Sequence, residues 1–289
     1  MSIRVHFAGR VCLPEEAAIS VFDRGFLFGD SVYETVGTSR GRLVFFEEHL
    51  QRLARSAERL FLRLPPRQQI EQAVREALAA AENPESRVRV MVTRGDGAVD
   101  LDPATAGEPR LVVIVQPLGA PPPELYQKGA EVEIVSVTRN LSRALDPAIK
   151  SGNYLNNVLA MGEARRRRPS AYEAILCAAN GSVAEGATSN LFAVFDGEMR
   201  TPSLQVGILD GVTRGKVLAL AHRDSISCRE VPFMSPDDLR RADEIFLTSA
   251  VCGVLPVTRV DGVTVRDGRP GPVTRRVVSL YRQLVESQT

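Results

Sequence analysis

Apolar residues recur along the chain with two periods, and the switches between them outline a fold. "IRVHFAGRVC" predicts a hairpin around Ala8-Gly9, and "DSVYETVGTSRGRLVFF" predicts a second one turning at Arg40-Gly41. In "FEEHLQRLARSAERLFL" the apolar positions 50, 53, 57, 60 and 61 follow helical spacing. Ile70, Val74, Ala77, Leu78 and Ala81 form the stripe of the next helix. "SRVRVMVTRG" and "RLVVIVQPL" then read as strands. A sheet with two helices is of α+β type.

The pattern breaks at "LGAPPPELYQKG", residues 118–129, where three consecutive prolines predict an extended, stiff connection. This divides the chain into a small N-terminal α+β domain, 1–118, a linker, 119–127, and a larger strand-rich α/β domain, 128–289. In the larger part "AEVEIVSVTR" predicts a strand and "NYLNNVLAMGEARRRR" a helix. A meander follows, with turns at Asn180-Gly181 and Asp196-Gly197. Then come the helix "GVTRGKVLALAHR", the strands of "ADEIFLTSAVCGVLPVTRVDGVTV" and a closing helix from about Pro272.

Composition narrows the function. The 289 residues are 44% hydrophobic and 25% charged, ordinary for a globular protein with a sizeable core. A net charge of +1 gives no bulk attraction to nucleic acid or to an anionic membrane, so neither is expected as a partner. The one basic run, Arg165–Arg168, ends a predicted helix, where cations suit the helix dipole. Cys12, Cys177, Cys228 and Cys252 form no C-x-x-C unit and read as free thiols of a reducing cytoplasm. "MSIRVHFAGRV" lacks an apolar signal core and no stretch approaches a membrane span, so a soluble cytoplasmic protein is expected.

Chemistry enters at "AIKSGNYLNN", residues 148–157. Lys150 stands where the chain changes direction, beside small residues that allow another group to approach closely. Taken alone it reads as a solvated loop lysine, Glu185 as a turn carboxylate, Arg52 as a helix-surface residue near Glu47 and Glu48, and Thr213 as a helix cap. The stretch "VAEGATSNLFAVFDGEMRTPSLQVGILDGVTR", residues 183–214, changes that reading. It has a Glu, then Asn-apolar-Phe five residues later, a Thr at the following bend, and an apolar-x-Gly-apolar-x-Arg ending. This resembles the signature of the class IV aminotransferases, fold-type IV enzymes that use pyridoxal 5′-phosphate. "ISVFDRGFLFGDSVYETV", "EEHLQRLARSA" and "KSGNYLNNVLA" resemble further segments of the family, so the likeness covers nearly the whole chain.

The resemblance implies a two-domain fold-type IV enzyme and assigns roles. Lys150 holds the cofactor covalently and moves the α-proton. Glu185 keeps the pyridine nitrogen protonated. Tyr154 is the candidate at the ring oxygen, and Leu209 packs against the ring face. Arg52, Val212, Thr213, Ser249 and Ala250 hold the phosphate, with a guanidinium and the free N–H groups of a helix start as the anion-binding elements. Tyr33 and Arg89 are the substrate-binding candidates. By alternation Arg87, Arg89, Met91 and Thr93 share one strand face, and Val88, Val90 and Val92 the other.

D-alanine-type members carry an R-G-x-x-x-R-x-H carboxylate trap; counted from Arg94-Gly95, its last two positions fall on Val99 and Leu101, so the trap is absent. The expected reaction is transfer of an amino group from a branched-chain or other apolar L-amino acid to a 2-oxo acid. The alternatives are an aminodeoxychorismate lyase, a D-amino-acid aminotransferase with a different trap, and a pyridoxal-phosphate-binding protein without turnover. The resemblance also implies a homodimer.

Overall fold

The computed structural model describes residues 2–288, and the chain forms two compact units. The first takes the residues up to Gly119 together with Ile149–Asn153; the second takes Ala120–Ala148 and Tyr154–Gln288. The short Lys150 segment thus belongs with the N-terminal unit, although the chain on either side of it does not.

In the first unit β1 (Arg4–Phe7), β2 (Arg10–Cys12), β3 (Ser31–Ser39), β4 (Arg42–Leu43), β5 (Ser86–Thr93) and β6 (Arg110–Pro117) form one antiparallel sheet. Its order is β2-β1-β6-β5-β3-β4. Ala8-Gly9 and Arg40-Gly41 both take left-handed backbone, which matches the twist of a tight hairpin. α1 (Arg24–Phe28) precedes β3, and α2 (Phe46–Arg59) and α3 (Arg67–Ala81) pack on one face of the sheet. There Val88, Val90 and Val92 meet Leu53, Ile70 and Val74. Each such burial contributes about 1.5–3 kcal/mol. The apolar stripe expected through position 61 stops short. α2 ends at Arg59, Phe61 turns left-handed with φ 51°, and its side chain points outward while Leu62 takes the core position.

The second unit opens with a correction. The proline stretch is not extended throughout, because α4 (Pro123–Lys128) starts on its last proline, where a missing N–H costs no helical bond. Nine strands follow: β7 (Ala130–Thr138), β8 (Glu173–Cys177), β9 (Val183–Gly186), β10 (Asn190–Phe195), β11 (Glu198–Pro202), β12 (Cys228–Val231), β13 (Glu244–Ser249), β14 (Gly253–Val260) and β15 (Val263–Thr264). The sheet order is β12-β11-β10-β13-β14-β7-β8-β9, with β15 on β14. β7 runs parallel to β8 and β14, and β11 runs parallel to β12. The helices are α5 (Leu155–Arg167), α6 (Val212–Arg223), α7 (Pro236–Arg240) and α8 (Pro272–Gln288).

Leu191, Ala193, Ile245, Leu247, Leu255 and Val257 fill one core. Phe192 and Phe246, at alternate positions of the same strands, stack at 4.9 Å between ring centroids. The basic run is engaged at the end of α5: Arg167 pairs with Glu163, and Arg168 with Glu131 and Glu133.

Candidate active site

In the first unit the chain around Lys150 adds to the free edge of β3. Tyr33 N donates to Lys150 O at 2.9 Å, Gly152 N donates to Ser31 O at 2.9 Å, and Ser151 bridges Val32. A Cβ on Gly152 would stand 2.2 Å from Ser31 Oγ, so only glycine lets the two segments meet. Ile149 packs on the unit's core, and Lys150 N donates to Ser56 Oγ at 3.2 Å. The lysine backbone is therefore fixed on both sides. Its Nζ stands 4.6 Å from the centroid of the buried Tyr33 ring.

Arg89 reaches the same ring, its guanidinium carbon 3.8 Å from the centroid. The register explains this. Tyr33 pairs with Met91 and Thr35 with Arg89, so Tyr33 and Arg89 lie on one face, opposite the helix-covered valines. Met91 and Arg89 pair in turn with Val112 and Ile114, which surrounds the cation with apolar neighbours.

Glu34 points the other way, into the helix-covered face. An isolated carboxylate buried there would be costly. It is not isolated: Arg52 donates Nε to Oε1 and Nη2 to Oε2, both at 2.7 Å, and His49 Nδ1 stands 2.7 Å from Oε2. Burial pushes the Glu34 carboxyl up, but Arg52 and His49 outweigh it and hold it at about 2. Burial also lowers the His49 imidazole, opposed by Glu34. Arg52 is thus a buried partner of Glu34, and not a surface partner of Glu47, which pairs with Arg67 instead. His49, Arg52 and Ser56 recur at helical spacing along α2, so one stripe of the helix holds both Glu34 and the backbone of Lys150.

In the second unit Glu185 is the last residue but one of β9, and Asn190 begins β10. Glu185 is buried and accepts from Arg139 Nε at 2.8 Å on Oε1, and from Asn190 Nδ2 at 3.1 Å and Leu209 N at 3.0 Å on Oε2. Asn190 Nδ2 also donates to Leu209 O at 2.9 Å, which ties the 209–211 turn to the same carboxylate. A Cβ on Gly211 would stand 1.9 Å from Asn190 Oδ1, which requires glycine at the entry to α6. The 186–189 turn between Glu185 and Asn190 is held by Glu173. This buried carboxylate accepts from Thr188 Oγ1, Thr188 N and Ser189 Oγ, and burial raises its carboxyl.

The residues present fit a phosphate group. α6 starts at Val212 behind Gly211, with no side chain capping its first turn, so its leading N–H groups are open to an anion. Thr213 is buried in that turn. On β13, Thr248 Oγ1 is buried without a hydrogen-bond partner among the described residues. The next residue, Ser249, turns its hydroxyl into its own loop, 3.0 Å from Cys252 Sγ and accepting from Cys252 N at 3.2 Å. Ala250 supplies no hydroxyl.

The sequence-derived candidates therefore fall into two sets. Tyr33, Arg52, Arg89 and Lys150 lie in the first unit; Tyr154, Glu185, Leu209, Val212, Thr213, Ser249 and Ala250 lie in the second. Tyr154 is half-buried at the start of α5. Val99 and Leu101 are exposed, and Arg94 is committed to Asp30 and to the carbonyls of Leu60 and Phe61. Glu34, His49 and Arg139 are contacts that sequence reasoning did not supply. Only Asn190, inside the 183–214 signature, had a signal.

The sequence pattern of the amino-transferase class IV family matches residues 31–260. A branched-chain-amino-acid aminotransferase of Escherichia coli (strain K12) is 31% identical, over 99% of this chain and 94% of its own. A D-alanine aminotransferase of Bacillus licheniformis is 32% identical over 99% of both. A T.th. branched-chain amino acid aminotransferase, solved with pyridoxamine 5′-phosphate, superposes with a TM-score of 0.92. That structure shows 28% identity over 100% of this chain and 96% of its own.

Proposed function

The chain belongs to the class IV aminotransferase family and is a pyridoxal-5′-phosphate-dependent transaminase, and we propose that it acts on branched-chain or similar apolar L-amino acids, with a 2-oxo acid as acceptor. The observation that supports this substrate class is the face of the first sheet beside Lys150. One cation, Arg89, rests on the Tyr33 ring among Met91, Val112 and Ile114. Such a surface suits a carboxylate attached to an apolar side chain. Exposed Val99 and Leu101 offer no Arg/His carboxylate trap, which speaks against ordinary D-alanine chemistry.

When bound, pyridoxal 5′-phosphate supplies an electron-withdrawing ring that stabilises negative charge at the substrate α-carbon. The remaining work is assigned to side chains. Lys150 would hold the cofactor covalently and carry the proton from the α-carbon. Glu185, fixed by Arg139, Asn190 and Leu209, would keep a proton on the ring nitrogen, and Tyr154 and Leu209 are the residues assigned to its ring. The phosphate would be taken by the start of α6 at Val212 and Thr213 and by the Ser249-Ala250 turn, with Arg52 the guanidinium assigned to it by the family resemblance. Tyr33 and Arg89 orient the substrate carboxylate.

A homodimer is part of the proposal. Leu155, Val158 and Leu159 form an exposed apolar stripe on α5, opposite its buried Asn157, Ala160 and Ala164. A cytoplasmic setting suits the four unpaired cysteines. The reading is tested by a panel of amino donors with 2-oxoglutarate and pyruvate, run beside an aminodeoxychorismate assay. Turnover of leucine, isoleucine or valine above D-alanine, and no pyruvate from aminodeoxychorismate, is the expected result.

A further inference from the structure

We infer that Ser56, on α2, is a positioning residue for Lys150: its buried hydroxyl accepts the Lys150 N–H and sets the direction in which the lysine side chain leaves the backbone. This role rests on the reading of Lys150 as the residue that holds the cofactor.

By burial alone Ser56 is out of place. It is 1% exposed, and its helix neighbours Leu53 and Ala57 belong to the apolar core on which Ile149 packs. Alanine would suit such a position better, because serine has the lower helix propensity and a buried hydroxyl gives up its water. One contact offsets that cost. Lys150 N donates to Ser56 Oγ at 3.2 Å, between residues 94 positions apart in the chain.

The other side of Lys150 is tied by β3. Tyr33 N donates to Lys150 O at 2.9 Å, and the Ser151–Val32 bridge sets the register. Lys150 O belongs to the peptide after its Cα, and Lys150 N to the peptide before it. Peptide groups are planar, so tying both planes fixes the two soft dihedrals between them and gives the Cα–Cβ bond one direction. That direction brings Nζ to 4.6 Å from the Tyr33 ring centroid.

The helix that presents Ser56 is anchored to the same strand. Arg52, one turn earlier, donates Nε and Nη2 to Glu34 of β3, both at 2.7 Å. Glu34 adjoins Tyr33, so Ser56 and the strand edge meet Lys150 as parts of one braced frame. Such bracing matters for an amine that must reach a reacting atom, where a misplacement of about 1 Å can cost roughly 10²-fold in rate.

Ser56→Ala removes the acceptor and favours the helix, so α2 is kept. The test measures binding to the enzyme resolved of its cofactor, with two probes. Pyridoxal 5′-phosphate carries an aldehyde that condenses with the lysine amine, with loss of water. Pyridoxamine 5′-phosphate carries an amine there and binds without that bond. Ser56→Ala is expected to weaken pyridoxal 5′-phosphate binding roughly three- to tenfold, the scale of one hydrogen bond, and to leave pyridoxamine 5′-phosphate binding unchanged. In the holoenzyme kcat should fall with little change in KM. In a Lys150→Ala background, adding Ser56→Ala should change neither affinity, because Ser56 acts on the cofactor through the lysine side chain. Equal losses for the two probes, or a loss that persists in Lys150→Ala, would assign Ser56 a purely structural role and overturn the inference. Unchanged pyridoxal 5′-phosphate binding in Ser56→Ala, with a loss in Lys150→Ala, would overturn the inference and leave the reading of Lys150 intact. Wild-type affinity for pyridoxal 5′-phosphate in Lys150→Ala would overturn that reading and the inference with it.

Discussion

The Arg89 guanidinium carbon stands 3.8 Å from the centroid of the Tyr33 ring, and Lys150 Nζ stands 4.6 Å from the same centroid. One aromatic ring therefore sets the positions of the proposed carboxylate ligand and the proposed base. A cation–π contact of this kind contributes about 0.5–2 kcal/mol, depending on its exposure to water.

Arg89→Leu is expected to raise KM for the amino donor and to lower kcat/KM by roughly one to two orders of magnitude, the scale of a charge-assisted contact. Arg89→Lys keeps the charge but loses the planar group, so an intermediate value is expected. Steady-state kinetics decide. An unchanged KM in Arg89→Leu would assign the carboxylate to another residue.

Borohydride is expected to fix the cofactor of the yellow holoenzyme to Lys150, read by peptide mapping. Lys150→Ala should lose turnover and retain weak cofactor binding through the phosphate contacts. Label on Lys128 or Lys216 would sink the assignment.

Glu185→Gln is expected to lower turnover by roughly two to three orders of magnitude, with a changed cofactor spectrum and a smaller effect on substrate affinity. The structure adds a stability cost. The variant leaves Arg139 buried against a neutral amide, and breaking a buried pair costs about 3–5 kcal/mol. Melting temperature must therefore be measured beside the rate. Near-normal activity would show that Glu185 does not set the protonation of the ring.

Arg52→Ala is expected to weaken cofactor binding and to destabilise the fold, because it strands Glu34. The pH dependence has a definite sign. Glu34 falls from 4.5 in the unfolded chain to about 2 in the fold. Its stabilisation, on the order of 3 kcal/mol, is therefore present above pH 4.5 and lost as pH falls toward 2. The lowered His49 adds acid sensitivity that begins below 6.5. Urea unfolding at about pH 7, 4.5 and 3 is expected to show a steep acid loss in the wild type and a shallower one in Glu34→Gln.

Leu159→Asp, on the exposed stripe of α5, is expected to convert the proposed dimer to monomer in sedimentation experiments. A dimer that survives this change would place the interface elsewhere.

The sequence revealed what depends on local spacing. The hairpin turns, the stripes of α2 and α3 and the 183–214 signature were all legible, because each lies within one or two elements. Phe61 was misplaced because a single left-handed step ended the stripe, and side-chain period does not report φ. Arg139, just past the end of β7, and Glu185 on β9 are partners, and nothing near either residue announces the other. Glu34 was visible only as a neighbour of Tyr33; its partners became evident once α2 was laid on the sheet face. The role of Arg52 shows the same limit. Its charge was legible, but the carboxylate that holds it was not.

The return of Ile149–Asn153 to the first unit has a consequence for biosynthesis. When Gly119 leaves the ribosome, the Ser31–Tyr33 edge of β3 is still bare, and its partner is not made until residue 149. An unpaired strand edge is a template for wrong pairing. The nascent chain must carry that hazard through the whole proline stretch and β7. Proteolysis or genetic cutting at residue 119 would yield a fragment fixed in that state, its edge open and its lysine left behind on the other piece.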